Sequence, residues 1–264
     1  MAQDQLLMSL NGASIRARKS SLGPFSLKIQ RNELIAILGP SGAGKSSLLQ
    51  IMTGLHEHTG QLEFLSKPMK QWSVQELACR RAFLPQQQEI AFNLSTEMII
   101  GLGRVARNHD PQLLGIIKGS AKAAQAEHLL RRNYQTLSGG EKARIHLARI
   151  FAQLWDQQNG ILLMDEPLAA LDPGLQIELL LSIVGFCQDR SHALVAVLHD
   201  VQQAIEHFER LLLIKDGKIM TDLSTHPAPK KELELLYEMR LECISRPGRK
   251  DLLIPCGLRF TDIS

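Results

Sequence analysis

The stretch Glu33-Leu34-Ile35-Ala36-Ile37-Leu38-Gly39-Pro40-Ser41-Gly42-Ala43-Gly44-Lys45-Ser46-Ser47 decides how the rest of the chain is read. It opens on an apolar run of strand length and passes through a glycine-rich loop. Leu48, Leu49, Met52 and Leu55 then follow at helical spacing. Gly39-x-x-x-x-Gly44-Lys45-Ser46 matches the P-loop pattern in full, in the strand-to-helix context that gives such a match its weight. Glycines let successive backbone N–H groups turn inward around phosphate oxygens, and the helix starting near Lys45 aims its positive end at the same anion. Gly39, Pro40, Ser41, Gly42, Ala43, Gly44, Lys45, Ser46 and Ser47 are therefore the expected cradle for ATP. Lys45 neutralises the β- and γ-phosphates, and Ser46 offers its hydroxyl to Mg²⁺. A glycine-rich turn with an exposed Lys and Ser explains neither the run before it nor the helix after it.

Working outward, a second apolar run, Ile161-Leu162-Leu163-Met164, ends in Asp165-Glu166-Pro167. Two adjacent acids at the C-terminal end of a buried strand fall where open α/β sheets bind ligands. Asp165 suits the metal shell, and Glu166 suits a general base polarising the attacking water. Further strand signals lie at Leu22–Ile29, Gly60–Leu65, Arg81–Pro85, Ala193–Leu198 and Arg210–Ile214. Helical stretches lie at Leu175–Cys187, Val201–His207 and Lys230–Tyr237. The alternation implies parallel βαβ units. Between Gln86 and Gln153 the pattern turns mostly helical, with a break at Asn108-His109-Asp110-Pro111 and its clearest helix at Ala121–Arg132. Arg240–Phe260 reads as a small extended hairpin. The expected fold is α/β: a P-loop NTPase core with a mostly parallel sheet, a helical subdomain over approximately 87–155 and an antiparallel β subdomain. All belong to one domain over 1–264, with a C-terminal extension over approximately 226–264.

Composition narrows the partners. The chain has 264 residues with 30 Lys+Arg against 27 Asp+Glu, a formal charge of +3 that is too weak and too dispersed to argue for nucleic acid. Lys230-Lys231 and Arg246–Lys250 are short basic clusters that read as solvated faces. Cys79, Cys187, Cys243 and Cys256 are far apart and form no C-x-x-C, so they read as reduced thiols. Met1–Leu10 lacks the basic-then-apolar pattern of a secretory signal, and no apolar run approaches the ~18–20 residues that span a bilayer.

Leu137-Ser138-Gly139-Gly140-Glu141 precedes a helical run through Lys142, Arg144, Ile145, Leu147, Ala148, Arg149 and Ile150. On its own, this is also a plain helix start with Ser138 as N-cap. Together with the P-loop and the Asp165-Glu166 strand, it makes the chain resemble the ATP-binding subunits of ABC transporters from Leu22 to about Tyr237. The resemblance implies that Ser138, Gly139 and Gly140 complete the site around a γ-phosphate presented by another subunit. It implies that Gln86, in Phe83-Leu84-Pro85-Gln86, touches Mg²⁺ and the water, although Gln87 and Gln88 stand beside it on a polar loop. Asp172 matches a residue at the dimer interface, where a turn before Pro173-Gly174 explains it nearly as well. His199, before Asp200, matches the histidine that contacts the γ-phosphate. Implied partners are a second copy in a head-to-tail homodimer, two transmembrane permease subunits and, indirectly, a periplasmic or surface solute-binding protein. The implied location is peripheral, on the cytoplasmic face of the inner membrane.

The chain departs from that family at the adenine site, where Asn11–Ser21 holds no aromatic residue; Arg16 or Arg18 offers a guanidinium plane instead, or both are simply solvated. Leu168 replaces a hydroxyl residue common in the family, and Lys142-Ala143 replaces its usual glutamine-containing start. Tyr134–Glu141, Leu147–Trp155 and Val197–Asp200 are similar to haemin importer ATPases. Leu22-Gly23-Pro24, Gln71-Trp72-Ser73 and Pro85–Gln88 are similar to the vitamin B12 importer ATPase. The resemblance thus points to haemin import, with vitamin B12 or a ferric siderophore as the alternative. The short strings are equally read as shared helix and loop text. A soluble, non-transport relative would carry two fused ATPase halves or a long coiled-coil insertion, and this chain has neither.

Overall fold

The two apolar runs before Gly39 and Asp165 lie in one sheet in the computed structural model, which describes residues 5–16, 21–86, 90–107 and 109–258. In chain order the strands and α-helices are β1 (Leu6–Arg16), β2 (Ser21–Gln30), β3 (Leu34–Leu38), α1 (Lys45–Thr53), β4 (Thr59–Phe64), β5 (Lys67–Pro68), α2 (Val74–Arg80), β6 (Arg81–Leu84), α3 (Thr96–Gly101), α4 (Leu113–Ala123), α5 (Gly139–Leu154), β7 (Ile161–Asp165), α6 (Pro173–Asp189), β8 (Ala193–Val197), α7 (Val201–His207), β9 (Arg210–Lys215), β10 (Lys218–Ser224), α8 (Lys230–Tyr237), β11 (Met239–Ile244) and β12 (Leu252–Leu258).

The central sheet has the order β10-β9-β3-β8-β7-β6. Its β9, β3, β8, β7 and β6 are mutually parallel, and β10 closes the edge antiparallel to β9. The apolar runs are continuous because both faces are covered. In β3, Leu34, Ala36 and Leu38 enter the core beneath α3 to α8, whereas Ile35 and Ile37 enter a second core shared with α1 and the antiparallel sheet. β7, β8 and β9 repeat this alternation, as Leu162 against Leu163, Leu194 against Val195, and Leu211 against Leu212. The second sheet, β2-β1-β4-β5, covers α1 from the other side, and β11-β12 forms a separate two-stranded hairpin.

Two local differences from the sequence expectations have physical causes. The helix expected at Ala121–Arg132 instead spans Leu113–Ala123 and stops as Gln125 turns left-handed, with φ 54°. The Ala126 N–H closes back onto the Ala121 carbonyl at 2.7 Å, and Ala124, Ala126 and Leu129 are buried. Packing therefore overrides the helix-forming composition of that stretch. Strand β1 was not anticipated, because register shifts around Asn11-Gly12 break its alternation. The expected 240–260 hairpin is present as β11 and β12, and residues 259–264 lie outside the described set, as does Asn108 of the expected turn. Among the described residues no cysteine is paired, and burial pushes the Cys187 thiol up to about 12. No helix among them is long and apolar enough to cross a membrane.

Candidate active site

Parallel strands deliver their C-terminal ends to one edge of the sheet, and the loops that follow β3, β6, β7 and β8 meet there. The loop after β3 is shaped by Gly42 (φ 77°) and Gly44 (φ 101°), the latter also the N-cap of α1. The Gly217 N–H donates to the Ala43 carbonyl at 2.9 Å, so the turn after β9 buttresses the loop. Ser41 to Ser47 line a cleft of about 440 Å³ together with Leu22, Gln86, Glu166 and His199. Four of the predicted site segments are thus brought together.

Within the cleft the contacts follow charge. Lys45 is buried, and its Nζ donates to the carbonyls of Gly39 (2.9 Å) and Pro40 (3.1 Å) while lying 3.7 Å from Glu166 Oε1. An incoming phosphate would therefore meet a lysine already desolvated and aimed across the loop. Ser46 Oγ donates to Asp165 Oδ1 at 3.0 Å. Burial, with the neighbouring Glu166 charge adding to it, pushes the Asp165 carboxyl above the usual range, and the Ser46 hydrogen bond works against that rise. Two hard oxygen donors at this spacing fit Mg²⁺, which takes one or two protein oxygens and completes its shell with water and phosphate. Among the described residues no group of three or more His, Cys, Asp or Glu is placed to hold a metal ion.

Glu166 holds a left-handed backbone (φ 50°), an uncommon conformation for a residue with a side chain and one that concentrates at functional sites. Its Oε2 lies 2.5 Å from His199 Nε2 and accepts from Gln86 Nε2 at 3.4 Å. The carboxylate is almost covered, and the histidine is half exposed at the cleft mouth. Gln87 and Gln88 lie outside the described residues.

Ser138, Gly139, Gly140 and Asp172 stand outside this cleft. Ser138 caps α5 through a reciprocal box, its Oγ accepting from Glu141 N at 3.3 Å and its own N–H donating to Glu141 Oε2 at 2.8 Å. Asp172 caps α6 through Leu175 N at 3.0 Å. Both helix-start readings hold; the capping box engages the Ser138 N–H, so the anion cradle at this helix start falls to the backbone N–H groups of Gly139 and Gly140.

At the base end, Arg16 is exposed and does not line the cleft, and Arg18 lies outside the described residues. The apolar wall there is Leu22, which packs against the Cα of Gly217, where a Cβ would come within 2.6 Å of it. Sequence reading passed over Leu22 because an isolated leucine before Gly23-Pro24 carries no chemical signal. Leu168, at the family's hydroxyl position, is buried in the core.

A P-loop with a metal-site serine and aspartate, and a glutamate held between a histidine and a glutamine, defines a phosphoanhydride hydrolase of the P-loop class. A sequence profile described as ABC transporter matches residues 22–169, and the chain belongs to that family as its ATP-hydrolysing subunit. The chain is 36% identical over 246 residues to a hemin import ATP-binding protein, HmuV, of Pseudomonas fluorescens, covering 90% of this chain and 95% of the relative. It is 34% identical over 253 residues to the protein of the same name in Myxococcus xanthus, covering 92% and 94%. A solved structure described as an inward-facing conformation of a putative metal-chelate type ABC transporter superposes with TM-score 0.79 at 20% identity, over 95% of this chain and 98% of that one. That last likeness is one of fold.

Proposed function

We propose that the chain powers haemin import as a head-to-tail homodimer, each site formed by the P-loop of one copy and the Ser138–Gly140 turn of the other. The observation that carries the dimer is the division of the site. Lys45, Ser46, Glu166, Gln86 and His199 line one cleft, with Asp165 bonded to Ser46 at its edge, whereas the second anion cradle, at the start of α5, stands outside it. The names of the relatives at 34–36% identity support haemin as the cargo.

In this reading Gly39–Ser47 wraps the β- and γ-phosphates and Lys45 trades its loop carbonyls for phosphate oxygens. Ser46 and Asp165 would hold Mg²⁺, which supplies charge neutralisation to the phosphates when bound. Glu166 orients a water for in-line attack and takes its proton as the new P–O bond forms and the bond to the ADP oxygen breaks. His199 and Gln86 fix the direction of the Glu166 carboxylate. Ser138 and Gly140 of the second copy hold the γ-phosphate from the far side, so ATP closes the dimer and hydrolysis releases it.

The permease is proposed to dock on the face built from α3 and the loop after it. Met98, Leu102 and Val105 are exposed there around a groove of about 670 Å³, with Phe92 exposed a few residues before α3. A contiguous apolar face of this kind is atypical of a free surface. Its floor is held by the buried Arg104, which bridges Asp110 (2.6 Å), Asp156 (2.8 Å) and the Ala152 carbonyl (3.1 Å).

The test is a trapped dimer. Glu166→Gln with Mg-ATP should sediment as a dimer and return to monomer with ADP. Adding Gly140→Asp should leave ATP binding in place but prevent the dimer. A double variant that still dimerises would contradict the composite site.

A further inference from the structure

The basic cluster Arg246–Lys250 reads in sequence as a solvated face, yet its two ends fold inward onto the helix that follows His199. Arg246 Nη2 donates to Glu206 Oε2, near the end of α7, at 2.7 Å. The same guanidinium donates to the Lys250 carbonyl at 2.9 and 2.6 Å, which closes the loop between β11 and β12. Lys250 Nζ donates to the Phe208 carbonyl at 2.6 Å, just past the end of α7, and to Thr225 Oγ1 at 3.0 Å. Near the start of α7, Gln202 gives both halves of its amide to the hairpin. Its Nε2 donates to the Asp251 carbonyl at 3.2 Å and its Oε1 accepts from Leu253 N at 3.1 Å. One side chain thereby bonds the two backbone groups that flank Leu252, as a residue of a neighbouring strand would. Beneath these contacts Leu241 and Leu253 of the hairpin are buried in one core with Ala204, Ile205 and Phe208.

The helix held in this way has only seven residues, too few to be stable alone, so packing and caps set its position. Its N-cap, Asp200, accepts from the N–H groups of Gln202 and Gln203 at 2.7 and 3.0 Å. Gln202 is thus tied through its backbone to Asp200 and through its side chain to β12. His199 immediately precedes that cap, and its side chain is 53% exposed, so its own packing does little to fix it. Its reach to Glu166 Oε2 depends on the backbone to either side. Before it, Leu198 N donates to the Ile37 carbonyl at 3.2 Å; after it comes the Asp200–Gln202 turn. We infer that Gln202 is a positioning residue of the hydrolytic site, acting through Asp200 and His199 on Glu166, and that the β11–β12 hairpin is the strut it bears on. A slack strut widens the range of His199 and, with it, of the Glu166 carboxylate, so fewer bound ATP molecules meet a correctly directed base. The expected consequence lies in turnover more than in nucleotide affinity, because neither Gln202 nor the hairpin lines the cleft.

The inference rests on the hydrolytic reading of Glu166, and the test separates the two. Steady-state ATP hydrolysis by the full chain with its permease would be measured for wild type, Glu166→Gln, Gln202→Met, Arg246→Met and Trp72→Phe, alongside the melting temperature and backbone hydrogen exchange of each. Gln202→Met keeps the length of the side chain and removes both hydrogen bonds. It should lower kcat by about 3- to 10-fold, with KM within about twofold of wild type. Exchange should quicken at the N–H groups of Gln202 and Gln203 and stay at the wild-type level in β8. Arg246→Met, which releases the far end of α7, should show the same kcat-selective loss in weaker form. Trp72→Phe is the comparison for stability alone. It removes the bond from Trp72 Nε1 to the Phe64 carbonyl (3.2 Å), far along the chain from the hairpin, and should keep the wild-type kcat whatever its melting temperature. Wild-type kcat in Gln202→Met while Glu166→Gln is inactive would overturn the positioning role and leave the hydrolytic reading standing. A KM rise with constant kcat, or a kcat loss in Trp72→Phe equal to that of Gln202→Met at matched melting temperature, would also overturn it. Equal hydrolysis by wild type and Glu166→Gln would overturn both.

Discussion

Acid should loosen the base of the site through His192. This histidine is fully buried, immediately before β8. Its Nδ1 accepts from Gly160 N at 3.0 Å, just before β7, and its Nε2 faces the Leu154 carbonyl at 3.2 Å, at the end of α5. The Gly160 bond requires an unprotonated Nδ1, which leaves Nε2 as the donor to Leu154. The ring therefore fastens the feet of the three elements that carry Glu166, His199 and the Ser138–Gly140 turn. Burial, with Arg190 adding to it, lowers its pKa from the usual 6.5 to about 4, outweighing the Leu154 bond. The unfolded chain thus binds a proton that the folded chain refuses. Stability is complete above about pH 6.5, falls as the pH drops, and levels off below about 4. At roughly 1.4 kcal/mol per unit, the full cost is roughly 3 kcal/mol, of which roughly 2 kcal/mol has appeared by pH 5. Urea unfolding of wild type and His192→Gln between pH 8 and 5 would read this. The variant is expected to start less stable at pH 8 and to lose roughly 1 kcal/mol less per pH unit near pH 5.5. His146, bonded to the Tyr134 hydroxyl at 2.7 Å and also lowered to about 4 by burial, contributes to the remaining slope, as does His207, lowered by burial. Identical slopes in the two proteins would show that His192 is not held neutral, and the tautomer argument would fail.

Arg104→Ala should cost about 3–5 kcal/mol in a melt, because Asp110 and Asp156 lose a buried partner. The loop carrying Val105 should then dock poorly, read as reduced co-purification with the permease. Gly39→Ala forces a methyl against the Ile214 carbonyl and should destabilise by about 1–3 kcal/mol while abolishing ATP binding in calorimetry. Ser138→Ala removes the α5 cap and should lower stability by about 1 kcal/mol. It should also weaken the ATP-trapped dimer while leaving the monomer's ATP affinity intact.

The parts of the fold legible in sequence were those whose chemistry is local. Residues 34–38, 161–165, 193–197 and 210–215 read as buried strands because apolar side chains occupy both faces. The phosphate loop announced itself because glycine spacing is itself the binding device. Strand β10 escaped because its residues alternate only between partial and full exposure, at an edge that no hydrophobic pattern marks. For the site, Glu166 and His199 were legible at strand ends, but their contact at 2.5 Å depends on β7 and β8 being neighbours. Leu22 was illegible for the same reason. It reaches the cleft from β2, and nothing in the residues beside it says which loop it will face. Arg16, one of the two arginines offered as a guanidinium plane for the base, is exposed at the end of β1 and does not line the cleft, as its solvated reading has it.

The most direct test of the account is ATP hydrolysis in proteoliposomes that hold this chain and its permease, with the solute-binding protein supplied empty, loaded with haemin or loaded with cobalamin. The account predicts hydrolysis that rises with haemin-loaded binding protein and disappears in Glu166→Gln. Stimulation by cobalamin alone would contradict the cargo, and a wild-type rate no higher than that of Glu166→Gln would contradict the hydrolytic mechanism itself.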